Sequence, residues 1–174
     1  MRILITGAFG QLGHSIQSVL SKKSNYELIC TSRKIKKSQE GIPLDIRNQV
    51  ALKEIINTTS PDILINLAAM TNVDACELNP KLAGEINVAG LEHICNSFKG
   101  KIIHLSTDYV FDGTSGPYKE DDPLNPISIY GKTKLASEHI LLEKDTMHLV
   151  IRGNVLYDYS PHTSASFLNW VVSS

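Results

Sequence analysis

Three glycines at a three-residue interval, in Thr6-Gly7-Ala8-Phe9-Gly10-Gln11-Leu12-Gly13, constrain this chain more than any other feature. A short apolar run, Arg2–Thr6, leads into them and reads as a buried strand. A helical pattern follows over Gln11–Ser21, with Leu12, Ile16, Val19 and Leu20 on one side. Glycines so placed permit a tight turn, close approach of backbone to a pyrophosphate, and close packing of the helix on its strand. The N–H groups at the helix start, together with the helix dipole, favour a phosphate there. The spacing is Gly-x-x-Gly-x-x-Gly rather than Gly-x-Gly-x-x-Gly. Its position between a strand and a helix still makes a dinucleotide-binding turn the expectation, ahead of a plain connector.

The rest of the chain repeats the same alternation. Strands are expected at Tyr26–Thr31, Pro43–Asp45, Asp62–Leu67, Lys101–Ser106 and Met147–Arg152. Helices are expected at Gln49–Thr58, Pro80–Phe98 and Ser128–Lys144, the last capped by Ser128. Thr107–Ile127, rich in Gly, Pro and Asp, reads as a long loop. Strands alternating with helices of ten or more residues predict βαβ units. With right-handed crossovers they give an α/β, Rossmann-type doubly wound parallel sheet with helices on both faces. Residues 1–158 are expected to form this NAD(P)-binding Rossmann domain. Ligands of such sheets bind beyond the carboxyl ends of the strands, so the chemistry is sought in the segments that follow each strand.

The second strand ends in Thr31-Ser32-Arg33-Lys34. An acidic residue there would bind the ribose hydroxyls of NAD. None is present, and Arg33 is placed to meet the 2′-phosphate of NADP, so NADPH is favoured while NADH stays open. Lys34, Lys36 and Lys37 read equally well as a solvated loop. A formal net charge of −1 gives no reason to expect nucleic acid or an anionic membrane surface as a partner. The three cysteines, Cys30, Cys76 and Cys95, are widely spaced and suggest neither a disulfide framework nor a zinc site; no metal is expected. No stretch approaches the roughly 20 apolar residues of a membrane helix, and the opening apolar run is too short for a signal peptide. A cytoplasmic location is expected.

Tyr130 and Lys134 lie four residues apart in Tyr130-Gly131-Lys132-Thr133-Lys134, and of six tyrosines only Tyr130 has a lysine at that offset. On a helix the two share a face. An ammonium beside a phenol lowers its pKa from near 10, and such a tyrosine can give a proton to a carbonyl oxygen as hydride reaches the carbon. On most helices the pair would be an ordinary surface contact; its place after the fifth strand and the presence of the glycine turn favour chemistry. At the end of that strand, in His104-Leu105-Ser106-Thr107-Asp108-Tyr109, either Thr107 or Ser106 could hydrogen-bond the same carbonyl, although backbone bonding at the strand end accounts for Ser106 equally simply.

These segments together resemble the extended short-chain dehydrogenases/reductases, and most closely the branch of the dTDP-4-dehydrorhamnose reductases. The resemblance rests on Ile5–Gly13, Leu44-Asp45-Ile46, Pro61–Glu77, Ile86-Asn87, His104–Gly113 and Ile129–Lys134, in the family's order along nearly the whole chain. It implies NADPH-dependent reduction of the 4-keto group of a dTDP-linked 6-deoxy sugar, dTDP-4-dehydro-L-rhamnose. Thr107 would polarise the keto group, Tyr130 would donate the proton, and Lys134 would bind the nicotinamide ribose. Gly7, Gly10, Gln11, Leu12 and Gly13 would surround the pyrophosphate, Asp45 and Ile46 would flank adenine, and Ala68, Ala69 and Thr71 would line the cofactor. Val73 and Asp74 would lie near the sugar, and Asn154, within Arg152–Tyr157, beside the nicotinamide and substrate. A nucleotide-sugar epimerase and a non-catalytic NADP-binding regulatory subunit, like that of methionine adenosyltransferase, are the alternatives. The resemblance also suggests a homodimer through Pro80–Phe98 and Ser128–Lys144, while the apolar residues there could equally all face this chain's own sheet. Family members continue into a smaller substrate-binding domain, so residues 159–174 are expected to be the truncated start of that region.

Overall fold

The computed structural model describes residues 1–154 apart from Ser24, Asp145 and Thr146. The expected start of a substrate region at 159–174, and Val155, Leu156 and Tyr157 of the last loop, lie outside the described residues. Six strands form one parallel sheet: β1 (Arg2–Thr6), β2 (Glu27–Ser32), β3 (Ile42–Pro43), β4 (Ile63–Asn66), β5 (Lys101–Thr107) and β6 (Leu149–Gly153). Their spatial order is β3-β2-β1-β4-β5-β6. The order reverses between β1 and β4, and there the loops that follow the two strands part to leave a crevice. The expected Rossmann-type sheet is therefore the observed one.

Alternation along the strands sends side chains to two separate cores. Ile3, Ile5 and Ile65 face one side, where helix α1 (Gln11–Leu20) contributes Ile16 and Leu20. Leu4, Ile29, Leu64 and Ile102 face the other. They meet Leu52, Ile55 and Ile56 of α2 (Gln49–Thr59), Leu91, Ile94 and Cys95 near the end of the helix after β4, and Leu141 of α6 (Ile129–Lys144). Helices thus cover both faces. Local capping sets their starts: Asn48 accepts from the Ala51 N–H at 3.1 Å at the head of α2, and Ser128 Oγ accepts from the Gly131 N–H at 3.0 Å at the head of α6.

Three elements differ from the sequence reading. The stretch after β4, to which the sequence assigns no element, contains α3 (Val73–Leu78), capped by Asn72 accepting from the Ala75 N–H at 2.7 Å. The long loop opens with a 3₁₀ turn at Asp108–Val110. The expected helix Pro80–Phe98 is interrupted: α4 (Pro80–Gly84) passes through a π-turn (Glu85–Ala89) into α5 (Gly90–Ser97). Wide turns of this kind occur frequently at functional sites. Here two contacts hold it. Asn87, in the turn, has its amide drawn to the backbone of Met70. Immediately after it, a Cβ on Gly90 would stand 2.6 Å from Ile46 Cδ1, so any larger residue there would have to displace the Ile46 side chain.

Candidate functional site

The crevice between β1 and β4 is a cleft of about 760 Å³, the size of a cavity that takes a small organic ligand or cofactor. Gly7, Gly10, Gln11, Leu12 and Gly13 form one wall, Arg33 and Lys34 one end, Asp45 and Ile46 the floor beside them, and Ala68, Ala69 and Thr71 the opposite wall. The structure thus brings every residue the sequence assigned to the cofactor into one cavity, except Tyr130 and Lys134, which stand beyond Leu105 at its far end.

The cleft is shaped for an anion. Gly7 has φ +67°, and a Cβ there would lie 2.8 Å from the Ala68 nitrogen, so glycine alone lets the two strand-end loops come this close. Gly10 is the N-cap of α1, with no side-chain cap and no acidic residue in the first turn. The first N–H groups of a helix have no acceptor within it, so this end presents positive potential to whatever fills the cleft. A Cβ on Gly13 would sit 2.2 Å from the Ala8 carbonyl oxygen. Gly13→Ala must push α1 off the turn at Ala8, and a destabilisation of about 1–3 kcal/mol is expected. Urea unfolding checks this; an unchanged midpoint would show that the turn yields freely.

Asp45 is engaged from the floor. Arg47 Nη2 donates to its Oδ2 at 2.6 Å, and this hydrogen bond holds the Asp45 carboxyl below its ordinary range. Arg33 also acts on it through charge.

At the far end, α6 sets Tyr130 and Lys134 beside β5. The Thr107 hydroxyl, which donates to Asp108 Oδ1 at 3.1 Å, lies near enough to the Tyr130 phenol to act on it, and Tyr109 lies edge-on to the Tyr130 ring at 5.8 Å. Tyr130 differs from the sequence expectation in its acidity. Burial raises its pKa above the ordinary tyrosine value, outweighing the lowering by the Thr107 hydroxyl, and Cys76, Asp108 and Tyr109 raise it further. Lys134 is buried at 2% exposure and is turned to β5, donating to the Leu105 carbonyl at 2.6 Å with His104 Nε2 at 3.0 Å. Burial brings its own pKa down to about 7, against a small opposing pull from Glu138. The phenol therefore keeps its proton at neutral pH, as a proton donor must.

Val73 opens α3 half-buried, and Asp74, next to it, is exposed. Asn154 is exposed just past β6. None of these three lines the cleft. Ser106, weighed against Thr107, faces elsewhere: its hydroxyl donates to Glu138, which Arg152 clamps at 2.7 Å. The sequence reading assigned Asn87 no role, although it lay in a matching segment. Asn87 accepts from the Met70 N–H at 2.7 Å and donates to the Met70 carbonyl at 3.1 Å and to Thr133 Oγ1 at 3.0 Å, while Thr133 donates to the Tyr130 carbonyl. One buried amide thereby joins the wall after β4 to the helix that carries Tyr130 and Lys134. A polar residue in an otherwise helical apolar stretch was the available signal. Among the described residues no group of His, Cys, Asp and Glu side chains is gathered to hold a metal, and no helix is long and apolar enough to cross a membrane.

Comparison with known proteins agrees with this geometry. The family described as RmlD substrate binding domain matches residues 1–173. The dTDP-4-dehydrorhamnose reductase of Aggregatibacter actinomycetemcomitans is 38% identical over 155 residues, covering 87% of this chain and 50% of that protein. Methionine adenosyltransferase 2 subunit beta of Xenopus tropicalis is 36% identical over 159 residues, 90% of this chain and 47% of that one. Among solved structures, a dTDP-4-dehydrorhamnose reductase from Clostridium acetobutylicum superposes with a TM-score of 0.86 at 38% identity, over 99% of this chain and 59% of that chain. The Bacillus anthracis enzyme in complex with NADP superposes with a TM-score of 0.85 at 31% identity, over 99% of this chain and 58% of that one. The chain thus spans about half the length of the curated relatives it matches.

Proposed function

Since the chain belongs to the family described as RmlD substrate binding domain, we propose that it is the dinucleotide-binding portion of a nucleotide-sugar ketoreductase, and that its substrate is the 4-keto group of dTDP-4-dehydro-L-rhamnose. The observation that carries this reading is the nearness of the Thr107 hydroxyl to the Tyr130 phenol, on the helix whose Lys134 contacts Leu105 of a glycine-walled cleft. NADPH, when bound, supplies the hydride. Gly7–Gly13 cradle its pyrophosphate at the start of α1, and Arg33 answers the 2′-phosphate. Thr107 holds the keto oxygen, Tyr130 gives it a proton, and Lys134 stands by the nicotinamide ribose. The lowered pKa of Lys134 suits a residue that regains charge and hydrogen bonds when ribose hydroxyls reach it. Val73, Asp74 and Asn154 are assigned to the sugar side.

Two measurements test the reading. Fluorescence titration is expected to show tighter binding of NADPH than of NADH, and an Arg33→Ala variant is expected to lose that preference. Turnover with the ketosugar should consume NADPH in proportion to product. Interconversion without net cofactor consumption would instead make the protein an epimerase. The similarity to methionine adenosyltransferase beta subunits favours one further reading, a non-catalytic NADP-binding subunit. Cofactor binding without ketosugar reduction, with co-purification of a methionine adenosyltransferase, would replace the reductase by that role. A cytoplasmic homodimer belongs to the same proposal, and light scattering checks the stoichiometry.

A further inference from the structure

A row of polar side chains crosses the interior of the sheet where apolar ones are the rule for buried parallel strands. Thr31, Thr6, Asn66 and His104 are register partners on β2, β1, β4 and β5. None is more than 2% exposed. Buried polar groups of this kind persist when each finds a partner, and here the partners run in one direction. The Thr6 hydroxyl donates to Asn66 Oδ1 at 2.6 Å. The Asn66 amide then donates from Nδ2 to His104 Nδ1, 3.0 Å away. An imidazole whose Nδ1 accepts carries its proton on Nε2 when neutral, and burial with Lys134 nearby keeps this ring neutral.

Nε2 faces two groups at 3.0 Å, Ser137 Oγ and Lys134 Nζ. The Ser137 hydroxyl proton is already given to the Lys134 carbonyl at 2.6 Å, so Ser137 can only accept from the ring. Lys134 Nζ is pinned on its other side by the Leu105 carbonyl. The charged groups nearby are Glu138, on the same helix, and Arg152 of β6, which is paired with Glu138. From the sheet side, among the described residues, the ionisable group in contact with the lysine is His104.

We propose that His104 is the positioning residue for Lys134, with its tautomer fixed by Thr6 and Asn66, so that a hydrogen-bonded rung joins the residue preceding Gly7 to the amine at the far end of the cleft. The rung acts at two points. It sets where Nζ rests before cofactor arrives, and it presents an N–H rather than a lone pair to that amine. An amine facing an N–H accepts from it; an ammonium there must turn its own protons to Leu105. The consequence for catalysis rests on the reading of Lys134 given above, whereas the tautomer and the contact do not.

Ring-nitrogen NMR on the chain labelled with ¹⁵N-histidine tests the contact without turnover. The expected spectrum at neutral pH has His104 protonated on Nε2 and bare on Nδ1. Lys134→Met is expected to move the Nε2 resonance and leave Nδ1 in place, and Thr6→Val to mix the tautomers by releasing the Asn66 amide. A proton on Nδ1, a charged ring at pH 7, or an Nε2 signal indifferent to Lys134→Met would each overturn the proposal. In the reductase assay, His104→Gln, which keeps an N–H donor, is expected to retain more activity than His104→Leu. The latter should lower kcat by roughly ten- to hundredfold, as expected of a displaced reacting group, with the Kd for NADPH unchanged. Equal rates in the two variants would show that the ring serves packing alone. Absence of turnover in the unaltered protein would sink the reductase reading and leave the NMR result standing.

Discussion

Replacing Tyr130 by phenylalanine is expected to lower NADPH-dependent ketosugar reduction by about 10²–10⁴-fold, the range over which a positioned proton donor contributes. The change removes one hydroxyl. It keeps the ring that packs edge-on against Tyr109, and Thr107 Oγ1 still accepts from the Tyr109 N–H at 3.2 Å. The cleft walls from Gly7 to Thr71 are untouched, so NADPH affinity is expected to stay nearly unaltered. The pH profile gives a second check. Burial raises the phenol pKa, so the proton is retained through neutral pH in the cofactor-free protein, and the loss of activity on the alkaline side should begin only where the phenol ionises. Full activity in the phenylalanine variant would remove Tyr130 from the proton-donor role; loss of NADPH binding in step with activity would make the residue part of the seat instead.

Lys134→Met is expected to do two opposite things: abolish reduction and make the protein more stable. Lys134 is 2% exposed, and burial brings its pKa from 10.5 down to about 7. The unfolded chain therefore binds a proton more readily than the folded one between those values, and stability rises with pH across that window. The contribution of Lys134 is fully present above 10.5 and is lost as pH falls through about 7. At neutral pH the residue costs on the order of 3–5 kcal/mol, since each unit of displacement is about 1.4 kcal/mol. A methionine of similar length has no charge to desolvate and fills irregular space. Denaturant unfolding of both proteins from pH 7 to 10 is the measurement. The advantage of the variant should shrink as pH climbs; a gap that stays constant, or a less stable variant, would mean that the ammonium is well solvated in the fold.

Most of the site was legible because its parts obey local rules. The glycine trio had to follow a strand and precede a helix, and the absence of an acid after β2 could be read directly from Thr31-Ser32-Arg33-Lys34. Arg33 and Ala68–Thr71 follow strands whose apolar runs mark them plainly, Asp45 and Ile46 follow a strand of two residues only, and the sheet places those segments around one cleft. What escaped the sequence depends on contacts between distant segments. Asn87 breaks its helix into a π-turn because the Met70 backbone lies within reach of its amide, and no periodicity shows that. The acidity of Tyr130 was misjudged for the same reason. Four-residue spacing shows that Tyr130 and Lys134 share a helix face, but not that the amine bends to the Leu105 carbonyl and away from the phenol. Asp74 and Asn154 gain no geometric support from the cleft, since neither lines it.

The junction of β1 with β4 brings together Ile3 and Ile63, segments 60 residues apart in the chain. Neither half of the sheet owns the cleft: β1 supplies its glycine wall and β4 the facing one. Long-range pairings of this kind form late, because a large loop must close before any contact rewards it. A dinucleotide can therefore grip only chains in which both halves have already docked. It should act as a clamp on the finished molecule, raising the melting temperature with the logarithm of its concentration and shielding the link between the halves from proteases, while leaving the partly assembled halves as vulnerable as before.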